Sequence, residues 1–398
     1  MKTREIAKGI YSVGVADWSV RNFHGYLTQK GTSYNAYLIV DEKITLIDTV
    51  KAHFSQELID RISQIVSLEK IDYVVSNHVE MDHSGALPEV MKHLPNATVL
   101  TSQSGEKEYK LHFNPDWKFQ IVKTGDSISL GKRTLSFIMT PMVHWPDNMV
   151  TYCPEEKILF SNDAFGQHLA SSNVFDDEPL DVIMEEAKKY YANIIMPYSS
   201  QVVGVLDAVQ SLAIQMIAPS HGLIWKNNIP VILEHYTKWA HCRTDKKVVI
   251  AFDSMYGSTE KIAYAIRNAF EAKGYEYKFC DLKSNHISDI ITDCLEAEYI
   301  CVGSPTLNKN PMPTVAAFLT YLQGLSTKTK KGILFGSYGW AAQNIKAMER
   351  YFEESGIELV DKYGVNFIPD KQALQAITES VSRKITENIN KELWQKTW

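Results

Sequence analysis

The sequence predicts an α/β protein of two domains, and three observations carry that prediction. Residues 1–245 read as short β-branched runs joined by hairpin turns, with amphipathic stretches between them. Residues 246–398 instead alternate strand and helix in regular order. The polar stretch 241–246 separates the two and is the natural linker. A length of 398 residues also suits two domains, since one usually takes about 100–200.

In the first domain, strands are expected at 35–40, 44–47, 72–75, 97–100, 119–122 and 133–138. Helical patterns fall at 54–66 and 86–93. Close-set strands with turns at Asp41-Glu42 and Leu130-Gly131 favour a sandwich with hairpins over a purely parallel sheet. In the second domain, strands are expected at 247–252, 276–281, 298–303, 331–336 and 358–365. Helices fall at 259–272, 315–323 and 341–355, with a short one after the second strand, and a final amphipathic helix covers 370–393. Five strands with crossover helices read as an open, doubly wound parallel sheet.

Composition removes several classes of function. Apolar residues make up 45% and charged residues 22%, enough for a real core. The net charge is -6 and no long basic run is present, which argues against nucleic acid. No run of about 20 apolar residues occurs, so no membrane helix is expected, and residues 1–13 lack a signal peptide's apolar run. The five cysteines (Cys153, Cys242, Cys280, Cys294 and Cys301) are scattered and form no C-x-x-C pair. That pattern suits a reducing cytoplasm and argues against a zinc ribbon, a rubredoxin-like site or an iron–sulfur cluster. A metal here has to be held mainly by histidine and carboxylate.

One segment offers such ligands at high density. The apolar stretch 71–77 ends abruptly in a segment holding His78, Glu80, Asp82 and His83, followed by Gly85, which is expected to turn the chain into the next helix. Three more candidates follow apolar runs and precede turn residues: His144, Asp163 and His221. A lone histidine such as His53, His93 or His112 is ordinarily structural, but four ligands within six residues at a strand end are far more specific. Seven ligands exceed one tetrahedral zinc and suit two metals sharing a carboxylate. Four imidazoles and three carboxylates without a thiolate favour iron or manganese over copper, with zinc still open.

This H-x-E-x-D-H segment, followed by separated His, Asp and His, resembles the metallo-β-lactamase fold family. Hydrolases of that family usually carry histidine where this chain has Glu80. Glutamate there replaces a neutral imidazole by an anion, which lowers the net charge of the site and stabilises higher-valent iron. That variant marks the flavodiiron proteins, or A-type flavoproteins, which this chain resembles over essentially its whole length, including residues 22–49. The resemblance implies a metallo-β-lactamase-like αββα sandwich over 1–245. It places His78, Glu80 and His144 on one iron, Asp82, His83 and His221 on the other, and Asp163 between them. It also implies that His24 and Tyr198 line the gas pocket and donate protons or hydrogen bonds, and that Trp145 walls the site.

The second domain carries its own site. The first strand runs into Asp253, Ser254, Met255, Tyr256, Gly257, Ser258 and Thr259 and then a helix. Backbone N–H groups at such a turn can wrap a phosphate, with hydroxyls adding donors. No lysine stands in the position a triphosphate loop needs, and no G-x-G-x-x-G is present, so a mononucleotide is favoured over ATP or a dinucleotide. An ordinary capped helix start would read the same alone. Two further strand ends strengthen the ligand reading: Ser304 to Asn308, and Ser337 to Trp340. This half resembles flavodoxin over 246–398. The resemblance implies that Ser254, Tyr256, Gly257, Ser258 and Thr259 hold the phosphate of FMN, with Met255 in the same loop. Pro305, Thr306, Leu307 and Asn308, with Ser337, Tyr338, Gly339 and Trp340, would flank the isoalloxazine.

The expected function is reduction of O2 to water, of NO to N2O, or both, at a di-iron centre supplied with electrons through FMN. By resemblance, the donor is a rubredoxin-like carrier and the assembly a head-to-tail homodimer or a dimer of dimers. Two rivals remain. A di-zinc hydrolase carrying a flavodoxin-like module would hold zinc, and Glu80 argues against it. A non-enzymatic electron carrier would bind FMN and leave the metal positions vacant, and the full ligand set argues against that.

Overall fold

The computed structural model describes residues 3–325 and 329–395. The chain divides into two compact units between His241 and Cys242, four residues before the expected boundary.

The first unit is built on two sheets. Seven strands form one, in the order Arg4–Ala7, Ile10–Ser12, Tyr37–Ile39, Ile44–Ile47, Ile71–Val75, Thr98–Thr101 and Lys118–Ile121. The first four pair antiparallel and the rest parallel, so the expected hairpins sit at one side only. The other sheet runs Ser127–Ser129, Thr134–Met139, Met149–Cys153, Ile158–Asn162 and Met216–Pro219. The region expected as one strand over 35–40 is shorter. Tyr37–Ile39 joins the large sheet, while Thr32–Tyr34 pairs separately with Val15–Asp17.

Successive strand residues point to opposite faces. Leu38, Leu46, Val74 and Val99 therefore pack with Leu58, Ile62, Val90 and Tyr109 of the covering helices. Their neighbours Ile39, Ile47, Val75 and Leu100 meet Phe137, Met149, Phe160 and Ala218 of the second sheet. Both faces of the large sheet are apolar because both are covered, and each such side chain contributes roughly 1.5–3 kcal/mol on burial. The result is a two-sheet sandwich with helices over the outer face of the large sheet, as expected.

The second unit is a five-stranded parallel sheet in the order Glu276–Asp281, Asp245–Phe252, Ala297–Gly303, Lys331–Tyr338 and Glu358–Asn366. Numbered along the domain, that order is 2-1-3-4-5, the doubly wound arrangement. Ile262, Ile266 and Phe270 of Ser258–Ala272 pack with Val381 and Ile385 of the last helix against one face. No described helix is long and apolar enough to cross a membrane.

Candidate metal centre and flavin site

The seven predicted ligands converge at one edge of the sandwich. His78 and Glu80 lie in the loop after Ile71–Val75, and Asp82 and His83 lie on the short helix Met81–Ser84. His144 follows Thr134–Met139, Asp163 follows Ile158–Asn162, and His221 follows Met216–Pro219. The ligand atoms of His78, Glu80, His144 and Asp163 lie within 4.8 Å of one another, and so do those of Asp82, His83 and His221.

Asp163 joins the two groups. Its Oδ2 lies 3.2 Å from His144 Nε2 and 3.6 Å from His78 Nε2. Its Oδ1 lies 3.1 Å from His83 Nε2 and 3.4 Å from His221 Nε2. Glu80 Oε2 completes the first group at 3.3 Å from His78 Nε2 and 3.2 Å from His144 Nε2. Asp82 completes the second, with Oδ2 3.2 Å from His221 Nε2. All four imidazoles present Nε2. Both oxygens of Asp82 and of Asp163, and both nitrogens of His83, are buried and make no well-aligned hydrogen bond; the nearest polar atoms to the Asp82 and Asp163 oxygens and to His83 Nε2 are other members of the cluster. Orphaned buried polar atoms cost roughly 1–3 kcal/mol each. Atoms bound at about 2.0–2.2 Å to one ion stand close to the separations seen here, so the set fits two metal ions.

Electrostatics agree. Burial works against charge on His83, but Asp82 and Asp163 outweigh it and raise its pKa to about 9. Burial favours a neutral acid at Glu80, yet His144, His24 and His78 hold it well below the usual carboxylate range. Buried negative charge is thus already committed to attracting positive charge.

The outer contacts fix the ligands. His78 Nδ1 lies 3.0 Å from Asp147 Oδ2, which also accepts from the Val79 N–H at 2.6 Å. His221 Nδ1 donates to the Ser33 carbonyl at 2.7 Å. Each bond leaves Nε2 free for metal, the arrangement by which outer partners set the tautomer. Gly222 follows at φ +78°, and a Cβ there would meet Gln167 Oε1 at 2.0 Å. Left-handed backbone at Met142, Asn162 and Phe165 also flanks the ligands, the kind of strain that gathers at functional sites.

The mouth of the cluster lies on the Glu80 side. His24 Nε2 meets Glu80 Oε1 at 3.1 Å, and its side chain is 66% exposed. The hydrogen bond to Glu80 raises the His24 pKa. Trp145 stands edge-on to His78 at 5.1 Å between ring centres, as the expected wall.

The second unit opens a cleft of about 1040 Å³ at the carboxyl ends of its strands. Met255, Tyr256, Ser258, Pro305, Thr306, Leu307, Asn308, Ser337, Tyr338, Gly339 and Trp340 line it as expected, with Lys309, Ala341, Gln343, Phe367 and Ile368 in addition. The remaining expected residues, Ser254, Gly257 and Thr259, sit in the turn at the start of Ser258–Ala272. Gly257 has φ +81°, and a Cβ there would meet nothing within 4 Å. Ser254 Oγ is buried without a partner, and Thr259 Oγ1 lies 3.0 Å from Ser337 Oγ. A left-handed turn into a helix with an orphaned hydroxyl fits a phosphate.

Comparison with known proteins agrees with both geometries. A model described as the ODP family beta lactamase matches residues 32–222, and a flavodoxin model matches residues 250–380. The nitric oxide reductase of Moorella thermoacetica is 46% identical over 392 residues, 96% of this chain and 98% of that protein. The solved rubredoxin oxygen:oxidoreductase of Desulfovibrio gigas superposes with a TM-score of 0.95 at 37% identity, covering 98% of this chain and 100% of that one. The flavodiiron protein of Giardia intestinalis gives 0.92 at 35% identity, covering 97% of each.

This chain belongs to the flavodiiron family. As a flavodiiron protein it is an oxidoreductase, and the hydrolase alternative loses its ground.

Three details of this flavodiiron chain differ from expectation or escaped it. Tyr198 ends the turn Met196–Tyr198, and no described hydrogen bond or ring contact joins it to the cluster. The tyrosine that stands there is Tyr190, at the end of Leu180–Tyr190, with its ring 5.7 Å from that of His221. Sequence reading also missed Asp147 and His168, whose ring packs 4.7 Å from His221. Asp147 stands only three residues after His144, so its neighbourhood was a signal. Tyr190 carried no signal beyond an aromatic on a helix.

Proposed function

We propose that this flavodiiron oxidoreductase reduces O2 to water, NO to N2O, or both, at two irons held by His78, Glu80, Asp82, His83, His144, Asp163 and His221. The observation that carries this reading is Asp163, whose two oxygens face two separate ligand groups. Bound iron would supply the electrons and the Lewis acidity, and FMN would deliver electrons to it one at a time.

The chain's own residues do the rest. Asp147 and the Ser33 carbonyl hold His78 and His221 in the tautomer that presents Nε2. Phe23, Tyr190 and Trp145 surround the ligands with apolar rings, which keeps bulk water from the buried side. His24 is exposed, carries a raised pKa and touches Glu80, so it can hold a proton at the mouth and donate it to reduced oxygen. We assign to Tyr190 the lining role that the resemblance gave to Tyr198.

In the second unit, the turn 254–259 would hold the FMN phosphate and the Tyr338 and Trp340 loops would flank the ring. Trp340 is 96% exposed and Tyr256 93%. Such a rim suits burial by a second copy of the chain, which supports a head-to-tail homodimer or a dimer of dimers. The relative from Desulfovibrio gigas supports a rubredoxin-like donor. Five unpaired cysteines, four of them buried, suit a reducing cytoplasm.

Anaerobic reduction followed by stopped-flow mixing with each gas tests the reading. Reoxidation of flavin and metal by at least one gas is expected. Neither gas reacting, in protein carrying both cofactors, would overturn it. His83→Ala should abolish turnover and leave flavin bound; retained turnover would contradict the ligand assignment.

A further inference from the structure

At the mouth of the metal cluster a lysine lies between a hairpin and a ligand helix. Asn22–Phe23 pairs with Tyr26–Leu27. His24 and Gly25 turn between them at φ 53° and 86°, the left-handed pair that a two-residue hairpin turn favours. The turn sets His24 at the rim, 3.1 Å from Glu80, with the Phe23 ring centre 4.2 Å from its own. Opposite the hairpin, residues 49–50 are bonded along the ligand helix Met81–Ser84 and its exit. Thr49 N donates to the His83 carbonyl at 3.0 Å, and Ala86 N to the Val50 carbonyl at 2.8 Å. Lys51 follows directly, so its backbone is tied to the cluster.

Lys51 Nζ stands 5.4 Å from the ring centre of Phe23 and 5.3 Å from that of Tyr34. The same two rings abut the cluster. Phe23 lies 6.3 Å and Tyr34 5.9 Å from the His221 ring, each edge-on. Among the described residues no ion pair includes Lys51, and it keeps partial contact with solvent. Ring faces attract an ammonium without cancelling its charge. The cluster carboxylates are neutralised once metal fills the site, and Lys51 then remains as a fixed positive charge at the rim.

We propose that Lys51 makes the mouth a port that attracts and retains small monovalent anions. The proposal rests on the di-iron reading. O2 and NO are neutral and enter without regard to this charge. An O2 that takes one electron from the reduced centre becomes superoxide, an anion, and the ammonium opposes its escape. Lys51 touches neither gas nor metal ligand; it acts through its field. A unit charge roughly 10 Å away, at an effective dielectric of about 20, changes the affinity for an anion about tenfold.

The probe is sodium azide, added at low ionic strength to the oxidised iron- and FMN-loaded protein and followed by the visible band of the bound anion. K51M removes the charge and keeps the length. It should bind azide about tenfold more weakly than wild type, and K51R should bind it as wild type does. The gap between K51M and wild type should shrink toward 1 M salt, where screening acts within about 3 Å. NO, being neutral, should bind the reduced centres of wild type and K51M equally. With O2, K51M should release more superoxide, and no increase would overturn the retaining role. Equal azide affinities in wild type and K51M would overturn the port itself. So would an equal loss of azide and NO affinity, which marks a deformed site rather than a missing charge. K51Q takes the place of K51M if that variant does not fold. A protein that takes up no iron pair would defeat the di-iron reading. Azide binding to the zinc-loaded protein, read from the infrared band of azide, would still judge Lys51.

Discussion

The metal cluster and the flavin cleft solve opposite problems. Asp163, at the centre of the cluster, is 1% exposed, whereas Trp340, on the rim of the cleft, is 96% exposed. The cluster packs three carboxylates among four imidazoles, so its chemistry is carried by side-chain charge withdrawn from water. The cleft has no such charge density and relies on backbone turns, hydroxyls and ring faces. A buried charged site must be occupied or protonated to be tolerable, because orphaned polar atoms there are costly. An open neutral site carries no such demand. The first should therefore respond to substitution and pH far more sharply than the second.

The largest effect is expected at Asp163. Asp163→Ala removes the atom pair that both ligand groups share, and metal analysis should show both ions lost with flavin retained. The loss of metal affinity should exceed the about 10–100-fold typical of an outer contact. Retention of both ions would break the contrast. Asp147→Ala, which frees His78 Nδ1, should cost about 10–100-fold in metal affinity by competition with a chelator.

Acidity comes next. His83 has its pKa raised to about 9 in the metal-free chain, so below that value a proton occupies the position that metal needs. Metal affinity should rise as pH climbs toward 9, by about tenfold per unit for each proton displaced, with proton release measurable in weak buffer. FMN affinity over the same range should stay comparatively flat. The smallest effect is Ser254→Ala. It removes one orphaned hydroxyl from the phosphate turn and should weaken FMN binding roughly tenfold, the low end for a hydrogen bond to a charged group, with metal content unchanged.

The same contrast governs what could be read from sequence. The seven ligands were legible because His, Asp and Glu are expensive to bury, and a fold rarely gathers them at strand ends unless a metal offsets that cost. The doubly wound half was legible because its strands and helices alternate at regular length. Residues acting through position alone were not. Asp147 reads as an ordinary turn residue three places after His144, and its value comes from reaching His78 across the chain. Tyr190 reads as core, and only the packing of Leu180–Tyr190 brings it, rather than Tyr198, beside His221. Local chemistry is written in residue type, whereas tertiary proximity is not.

The most direct test of the account is the metal count and magnetic state of the protein grown with ample iron. Two irons and one FMN per chain, with the oxidised irons silent in electron paramagnetic resonance because Asp163 couples them, is the result expected. One iron per chain, or two that give independent signals, would contradict a shared carboxylate at the heart of the site.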